Sequence, residues 1–106
     1  MSESGWVRVA SVSEVAEGQM IAVQVGDRDI ALYHLDSGEF CATDNVCTHE
    51  FARLTNGFLE DNEIECPLHG GRFDVRTGEP LCPPVETELK VFEVKVSGDD
   101  VLIKAP

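Results

Sequence analysis

Two short segments that each contain one cysteine and one histidine constrain this chain more than any other feature of its sequence. Cys47 and His49 are separated by one residue, and after sixteen further residues Cys66 and His69 are separated by two. Thiolate and imidazole side chains are good ligands for zinc, iron and iron–sulfur clusters. A fold that brings the two segments together would therefore supply four ligands to one metal centre.

The mixed composition of each pair bears on the identity of the metal. Structural zinc sites with two cysteines and two histidines usually draw each pair from one residue type, as C-x(2–4)-C followed by H-x(3–5)-H. Here each segment supplies one thiolate and one imidazole. This pattern favours a cluster of two irons, with both thiolates on one iron and both imidazoles on the other. A mononuclear zinc site, a catalytic thiol and chance spacing remain as alternatives.

Length, charge and cysteine usage limit the class of protein. The 106 residues predict one domain, residues 1–106. The formal charge of −12, from 20 acidic and 8 basic residues, argues against nucleic acid or an anionic membrane as a partner. The sequence shows neither a signal peptide nor an apolar segment of the ~20 residues that span a membrane. A cytoplasmic location is therefore expected, where four cysteines indicate metal ligands or free thiols.

Short apolar runs separated by turn residues predict an all-β fold of antiparallel strands, a sandwich or a barrel. One weak helical turn is predicted over 12–18, with Ser13 as its cap and Gly18 as its end. The ligand pairs follow predicted strands and therefore lie in loops, about 44–52 and about 66–74. The predicted strands are 19–25, 29–35, 39–43, two short strands within 58–66, an alternating strand over Phe92, Val94 and Val96, and 101–105.

The segment CTHEFARLTNGFLEDNEIECPLHGGRFDVRTGEPLCPP resembles the cluster-binding region of Rieske-type ferredoxins. The likeness is greatest to the ferredoxin components of bacterial aromatic-ring-hydroxylating dioxygenases of the naphthalene type. It implies a Rieske-type antiparallel β-sandwich whose cluster-binding subdomain is formed by the two loops. It also implies one [2Fe–2S] cluster, with Cys47 and Cys66 on the inner iron and His49 and His69 on the outer iron.

The resemblance extends to residues around the cluster. The segment PLCPP, about 80–84, is similar to a loop that covers the cluster in this family, so Pro83 and Pro84 are expected near it. Gly70 and Gly71 are expected there as well, since a chain that passes close to a sulfide cannot easily carry a Cβ atom.

Comparison with the high-potential members of the family predicts a low reduction potential. Those proteins carry an extra cysteine in each loop and hydroxyl groups that donate to the cluster sulfurs. The matching positions here are Ala52 and Leu68, without a cysteine, and Gly71 and Phe73, without a hydroxyl. Fewer hydrogen bonds to sulfur stabilise the added electron less, so a potential on the order of −150 mV is expected.

The function that this likeness implies is one-electron transfer from an NAD(P)H-dependent flavoprotein ferredoxin reductase to a terminal ring-hydroxylating oxygenase, by a monomer. The chain is not expected to be an enzyme, because an oxygenase needs a second iron site, typically two histidines and a carboxylate. Only His34 remains after the four ligands. The alternative is the small Rieske subunit of a reductase such as assimilatory nitrite reductase.

The other candidate residues are interpreted as structural. Cys41 and Cys82 are expected to be small packing residues, with Cys82 beside the cover loop. His34 is expected to have a structural or surface role. Arg72 and Asp74 either form a structural ion pair or contact a partner, and the structural role is favoured.

Purified protein is expected to contain two irons and two acid-labile sulfides per chain. Its reduced form is expected to give an EPR spectrum unlike that of ferredoxins with four cysteine ligands, because the two irons differ in their ligands. Replacement of either histidine, as His49→Cys or His69→Cys, is expected to alter or abolish that spectrum. One zinc per chain without labile sulfide would contradict the cluster.

Overall fold

The computed structural model describes residues 5–47, 52–68, 70–82 and 87–104, and most of them belong to short antiparallel strands. Within these ranges the only helical segments are two 3₁₀ turns, Val12–Glu14 and Leu54–Asn56. No helix in the described ranges has the length and apolar character to cross a membrane. The strands are β1 (Trp6–Ser11), β2 (Gln19–Val25), β3 (Arg28–His34), β4 (Phe40–Asp44), β5 (Phe58–Glu60), β6 (Glu63–Glu65), β7 (Arg72–Asp74), β8 (Pro80–Cys82), β9 (Val91–Phe92), β10 (Val94–Ser97) and β11 (Asp100–Lys104).

The strands form three sheets, in the orders β1-β11-β10, β2-β3-β4-β9 and β5-β6-β7-β8. We call the first two sheets the base and the third the inserted sheet. All strand pairs are antiparallel, so the predicted all-β fold is confirmed. The inserted sheet lies in sequence between β4 and β9, which pair with each other through Ala42–Phe92 and Thr43–Val91. The chain therefore leaves the base and returns to it at neighbouring positions.

Strand β3 is buried on both of its faces. Every residue from Ile30 to Leu35 is buried, which explains why this run is continuously apolar instead of alternating. Ile30 and Leu32 belong to the core of the base, whereas Ala31, Tyr33 and Leu35 belong to a second core. That second core also contains Ile64 of β6 and Phe73 of β7. β3 thus joins the base to the inserted sheet.

The predicted strands agree with the structure where apolar runs are long or bounded by a clear turn. The run over 19–25 coincides with β2. The segment 58–66 contains two strands, β5 and β6, and the turn between them places Asp61 in the left-handed region, with φ 53°. The alternating strand over Phe92, Val94 and Val96 is interrupted at Glu93, and Val96 is exposed.

The predicted helical turn over 12–18 is wrong in its length and its cap. The observed 3₁₀ turn covers three residues and its N-cap is Ser11, not Ser13. The backbone N–H of Ser11 donates to Glu14 Oε1 at 2.7 Å, which satisfies the start of the turn.

Gly57→Ala is expected to destabilise the protein through a steric clash. Gly57 has φ −95°, which any residue adopts, but a Cβ atom there would overlap the carbonyl oxygen of Glu65 and lie 3.1 Å from Pro67 Cδ. Forcing an extra group into a closed site costs about 1–3 kcal/mol. The measurement is the free energy of unfolding in urea.

Gly26→Ala is the matched control for this substitution. Gly26 has φ +64° and no atom within 4 Å of a built Cβ, so alanine there meets backbone strain alone, about 1–2 kcal/mol. The clash explanation predicts that Gly57→Ala, unlike Gly26→Ala, also disturbs the metal centre, because Glu65 precedes Cys66. Unchanged spectra and stability for Gly57→Ala would contradict it.

Candidate metal centre

Backbone pairing joins the two ends of the first predicted ligand loop. Val46 and Arg53 form an isolated antiparallel bridge, and the N–H of Cys47 donates to the carbonyl of Ala52 at 2.9 Å. Cys47 follows β4 by three residues and is 4% exposed. The pairing therefore fixes Cys47 in a buried position close to the end of strand β4.

The second predicted ligand loop is a tight turn after β6. Cys66 is 2% exposed, its N–H donates to the carbonyl of Gly71 at 2.8 Å, and its carbonyl accepts from the N–H of Gly70 at 3.2 Å. Gly70 has φ +71°, a conformation that residues with a Cβ rarely adopt, and this accounts for glycine at that position. The expected closeness of Gly70 and Gly71 to the cluster stays a prediction.

Cys47 and Cys66 belong to the same hydrophobic core. Neither is in a disulfide, nor are Cys41 and Cys82, which completes the cysteines of the chain. Two buried thiols on two loops, each followed after one or two residues by a histidine, fit the soft donor set that an iron–sulfur cluster requires. The other core members around them are Ala31, Tyr33, Leu35, Ala52, Leu54, Ile64, Phe73, Val75 and Leu89.

Four of the predicted site residues, His49, His69, Pro83 and Pro84, lie outside the described residues. The structure thus places the two cysteines of the proposed ligand set in one hydrophobic core, each in the first few residues after a strand. The described parts of both loops follow strands, as predicted. The predicted bounds are too wide, however, because residues 72–74 of the second loop form strand β7 and residues 80–82 of the cover loop form strand β8.

The two remaining cysteines have different surroundings. Burial, followed by the nearby Glu39 carboxylate, raises the pKa of the Cys41 thiol to about 12, so this thiol stays protonated at neutral pH. Cys82 is half-buried, and its Sγ lies 3.6 Å from the carbonyl oxygen of Gly70. Cys41 is therefore a packing residue, as predicted, and Cys82 contacts the second ligand loop.

His34 is a structural residue. Its Nδ1 atom lies 2.7 Å from the carbonyl oxygen of Val15, and its ring stacks on Phe40 with centroids 4.0 Å apart. It is 8% exposed. One ring nitrogen and the ring face of His34 therefore contact other residues of the chain, which agrees with the structural role expected from sequence.

The expected Arg72–Asp74 ion pair is replaced by a larger network. Arg72 contacts three carboxylates of the inserted sheet, Glu60 at 3.4 Å, Glu63 at 3.3 Å and Glu65 at 2.8 Å. Asp74 instead accepts a hydrogen bond from the backbone N–H of Arg76. The physical reason is strand register: Glu65 lies directly opposite Arg72 in the β6–β7 pair, whereas neighbouring alternate residues of one strand are further apart.

A buried polar network next to the first loop was not foreseen from the sequence. The Asn45 side chain is fully buried and contacts Asp29 and Thr55, and Arg53 forms an ion pair with Asp29 at 2.8 Å. The Arg53 guanidinium, with the Asn45 amide, holds the pKa of the Asp29 carboxyl below its usual range. The only sequence signal for it is an asparagine two residues before Cys47, a predicted ligand.

Comparisons with known proteins agree with this geometry. Residues 5–93 match the Rieske [2Fe-2S] domain. The chain is 49% identical over 98 residues to the ferredoxin component of the naphthalene 1,2-dioxygenase system of Pseudomonas aeruginosa, covering 92% of this chain and 93% of the relative. It is 48% identical over 99 residues to the ferredoxin component of the naphthalene 1,2-dioxygenase/salicylate 5-hydroxylase systems of Ralstonia sp, covering 93% and 94%.

Solved structures extend the comparison to three dimensions. A chain from the complex of reduced oxygenase and oxidized ferredoxin in carbazole 1,9a-dioxygenase matches with a TM-score of 0.88 and 38% identity, covering 96% of this chain and 94% of that one. A structure assigned to the small subunit of an NADH-dependent nitrite reductase from Mycobacterium tuberculosis matches with a TM-score of 0.81, but at 22% identity it shares the fold alone. The domain match and these relatives imply a Rieske-type [2Fe–2S] cluster as the cofactor. This chain belongs to the Rieske [2Fe-2S] domain family and is similar to the ferredoxin components of aromatic-ring dioxygenase systems.

Proposed function

We propose that Cys47 and Cys66 bind one iron of the cluster and that His49 and His69 bind the other. Two observations on the cysteines support this ligand set. Both are buried in one hydrophobic core, and each is followed in the sequence, after one or two intervening residues, by a histidine. The proposed domain covers residues 1–106. Its ligand loops are about 44–52 and 66–74, the second of which ends in strand β7, and its cover loop is about 80–84, which begins in strand β8 and includes Pro83 and Pro84.

The function proposed for the whole chain is one-electron transfer from an NAD(P)H-dependent flavoprotein ferredoxin reductase to a terminal ring-hydroxylating oxygenase. The observation that carries it is the 48–49% identity to dioxygenase ferredoxin components over more than nine-tenths of both chains. The cluster, when bound, accepts and donates single electrons, whereas nicotinamide delivers them in pairs. A flavin in the reductase is therefore required to divide the pair.

The chain acts as an electron carrier rather than as an oxygenase, as its ferredoxin relatives do. A second iron site in an oxygenase typically needs two histidines and a carboxylate, and His34 is the single histidine of the chain outside the proposed ligand set. The nitrite reductase alternative has weaker support, since the matching small-subunit structure shares only the fold.

Surface charge supports transient association with basic partners. Each of the eight basic residues is engaged within the chain. The five arginines form ion pairs with carboxylates, and the three lysines lie over the rings of Trp6 or Phe92. With a net charge of −12, the excess carboxylates dominate the field that a partner meets.

The proposed docking face comprises the two ligand loops and the cover loop, around His49, His69 and Pro83. Leu68 and Leu81, which flank this region in sequence, are 59% and 41% exposed. Exposed apolar side chains beside a redox centre suit small, short-lived contacts. We also propose a monomer in the cytoplasm, where nicotinamide is supplied and where four thiols without disulfides are stable.

Cysteine substitutions test the ligand set. Cys47→Ser and Cys66→Ser are expected to lose the cluster, because each removes a direct ligand. Cys41→Ser and Cys82→Ser are expected to keep two irons per chain, since the first removes a packing group and the second retains a donor to Gly70. Iron analysis and visible absorption measure the result. Full iron content in Cys47→Ser would refute the assignment.

Reconstitution tests the function. A flavoprotein reductase, a naphthalene-type oxygenase, NADH and aromatic substrate are mixed with and without this protein. Product formation is expected to require it, and the rate is expected to fall severalfold between about 50 mM and 300 mM salt as the charge is screened. Equal product formation in its absence would refute the carrier role.

A matched pair of variants tests the docking face in the same assay. Leu68→Ser is expected to raise the carrier concentration needed for half-maximal rate. Val96→Ser is the control, because Val96 is 47% exposed on β10 of the base. Equal effects of the two substitutions would exclude the docking face, while the carrier role would stand.

A further inference from the structure

The Asn45 side chain is fully buried, and every polar atom of it has a partner. Its Nδ2 donates to Asp29 Oδ1 at 3.1 Å and to Thr55 Oγ1 at 3.0 Å, and its Oδ1 accepts from the Thr55 N–H at 2.9 Å. An amide has two donor hydrogens and one carbonyl oxygen, so this geometry uses all three groups. A buried amide that is fully bonded specifies one arrangement of the chain around it.

The backbone of Asn45 adds two more bonds. Its N–H donates to the carbonyl of Asp29 at 3.0 Å, and its carbonyl accepts from the N–H of Leu54 at 2.7 Å. Asn45 therefore binds both the start of β3 and the 3₁₀ turn Leu54–Asn56.

Arg53 completes a set of hydrogen bonds that joins the two ends of the first proposed ligand loop. Its Nε donates to Asp29 Oδ2 at 2.8 Å and its Nη2 to Asp29 Oδ1 at 3.1 Å. The Asp29 carboxylate thus accepts from Asn45, which begins the loop, and from Arg53, which ends it. Cys47 lies between these two residues, and the N–H of Cys47 is bonded to Ala52. The carboxylate of Asp29, in strand β3, therefore holds both ends of the loop.

We infer that Asn45, Asp29 and Arg53 form a positioning clamp that holds the Cys47 thiolate in one place relative to the base while the metal centre changes oxidation state. This inference rests on the ligand role proposed above for Cys47. Replacing a residue that is hydrogen-bonded directly to a metal ligand commonly lowers metal affinity 10–100-fold. The clamp acts on Cys47 through the backbone of the loop, so an effect at the lower end of that range is expected. In electron transfer, a ligand loop with one arrangement gives one potential and little movement between the two redox states.

Asn45→Asp tests the clamp with almost no change in volume. It removes both donors of the amide and places a second carboxylate beside Asp29 Oδ1. The holoprotein is expected to lose iron to a chelator about tenfold faster. Its reduced EPR lines are expected to broaden and its midpoint potential to shift, because the loop then has more than one arrangement.

The exchanged double variant Asp29→Asn with Asn45→Asp tests whether these effects arise from the pair. It restores one amide and one carboxylate at the two positions, so the amide again donates across the contact, but an amide at position 29 cannot accept both N–H groups of Arg53. EPR line width and iron release rate are therefore expected to recover in part, to values between those of Asn45→Asp and the wild type. A double variant no better than Asn45→Asp alone would overturn the clamp.

Thr43→Val is the matched control. Thr43 is also fully buried, and its Oγ1 lies 3.0 Å from the Tyr33 hydroxyl within the base. This variant is expected to lower thermal stability while leaving the potential, the EPR line width and the iron release rate unchanged. If Asn45→Asp behaves as Thr43→Val does, Asn45 is only a stabilising residue and the inference fails.

Arg53→Met provides a test if Asn45→Asp does not fold. The Arg53 side chain is 49% exposed, so its replacement leaves no buried group behind, yet it opens one half of the clamp. Faster iron release with broadened EPR lines supports the clamp, and wild-type values for both refute it. Loss of iron in Cys47→Ser, measured separately, keeps a failure of the clamp distinct from a failure of the ligand assignment.

Discussion

Strand β3 lies between two hydrophobic cores, and the arrangement of the metal centre depends on it. Ile30 and Leu32 stabilise the base, while Ala31, Tyr33 and Leu35 stabilise the core that contains Cys47 and Cys66. Each large apolar side chain that is fully buried contributes about 1.5–3 kcal/mol. Since the two sets alternate along one strand, the ligand region and the base cannot shift past each other without losing burial on both sides.

Hydrogen bonds and ion pairs fix the orientation of the elements that these apolar cores bring into contact. Burial alone is non-directional, whereas the bonds from Asp29 to Asn45 and Arg53 have fixed partners and angles. In the inserted sheet, Arg72 joins carboxylates of β5 and β6 to β7 in a similar way. The basic residues of this acidic chain are therefore used for internal contacts, and most of the other carboxylates in the described part of the chain are exposed.

The sequence predicted the features that depend on local pattern. Strand β2 and the β5–β6 turn follow from apolar runs and turn residues, and the cysteine pair follows from spacing and from the family resemblance. The partners of Arg72 and the network of Asn45 could not be predicted from local pattern. The first depend on the exact register of β6 against β7, and the second joins residues of three separate segments of the chain. Strands β1, β7 and β8 were not predicted. β7 and β8 have three residues each, too few to show a period, and they lack the Asp-Asn turn that marks β5 and β6.

The pairing of strands β4 and β9 affects how the chain can accept insertions, deletions and exchanged segments. Asp44 and Lys90 are joined by a backbone hydrogen bond of 2.9 Å, so the segment between them begins and ends at adjacent points of the base. A segment with adjacent ends can be lengthened, shortened or exchanged for a homologous one without stretching the scaffold. Recombination between related genes at these two positions would transplant the redox centre, but its tuning would be kept only where the recipient base carries the matching carboxylate at Asp29 and the matching apolar face of β3.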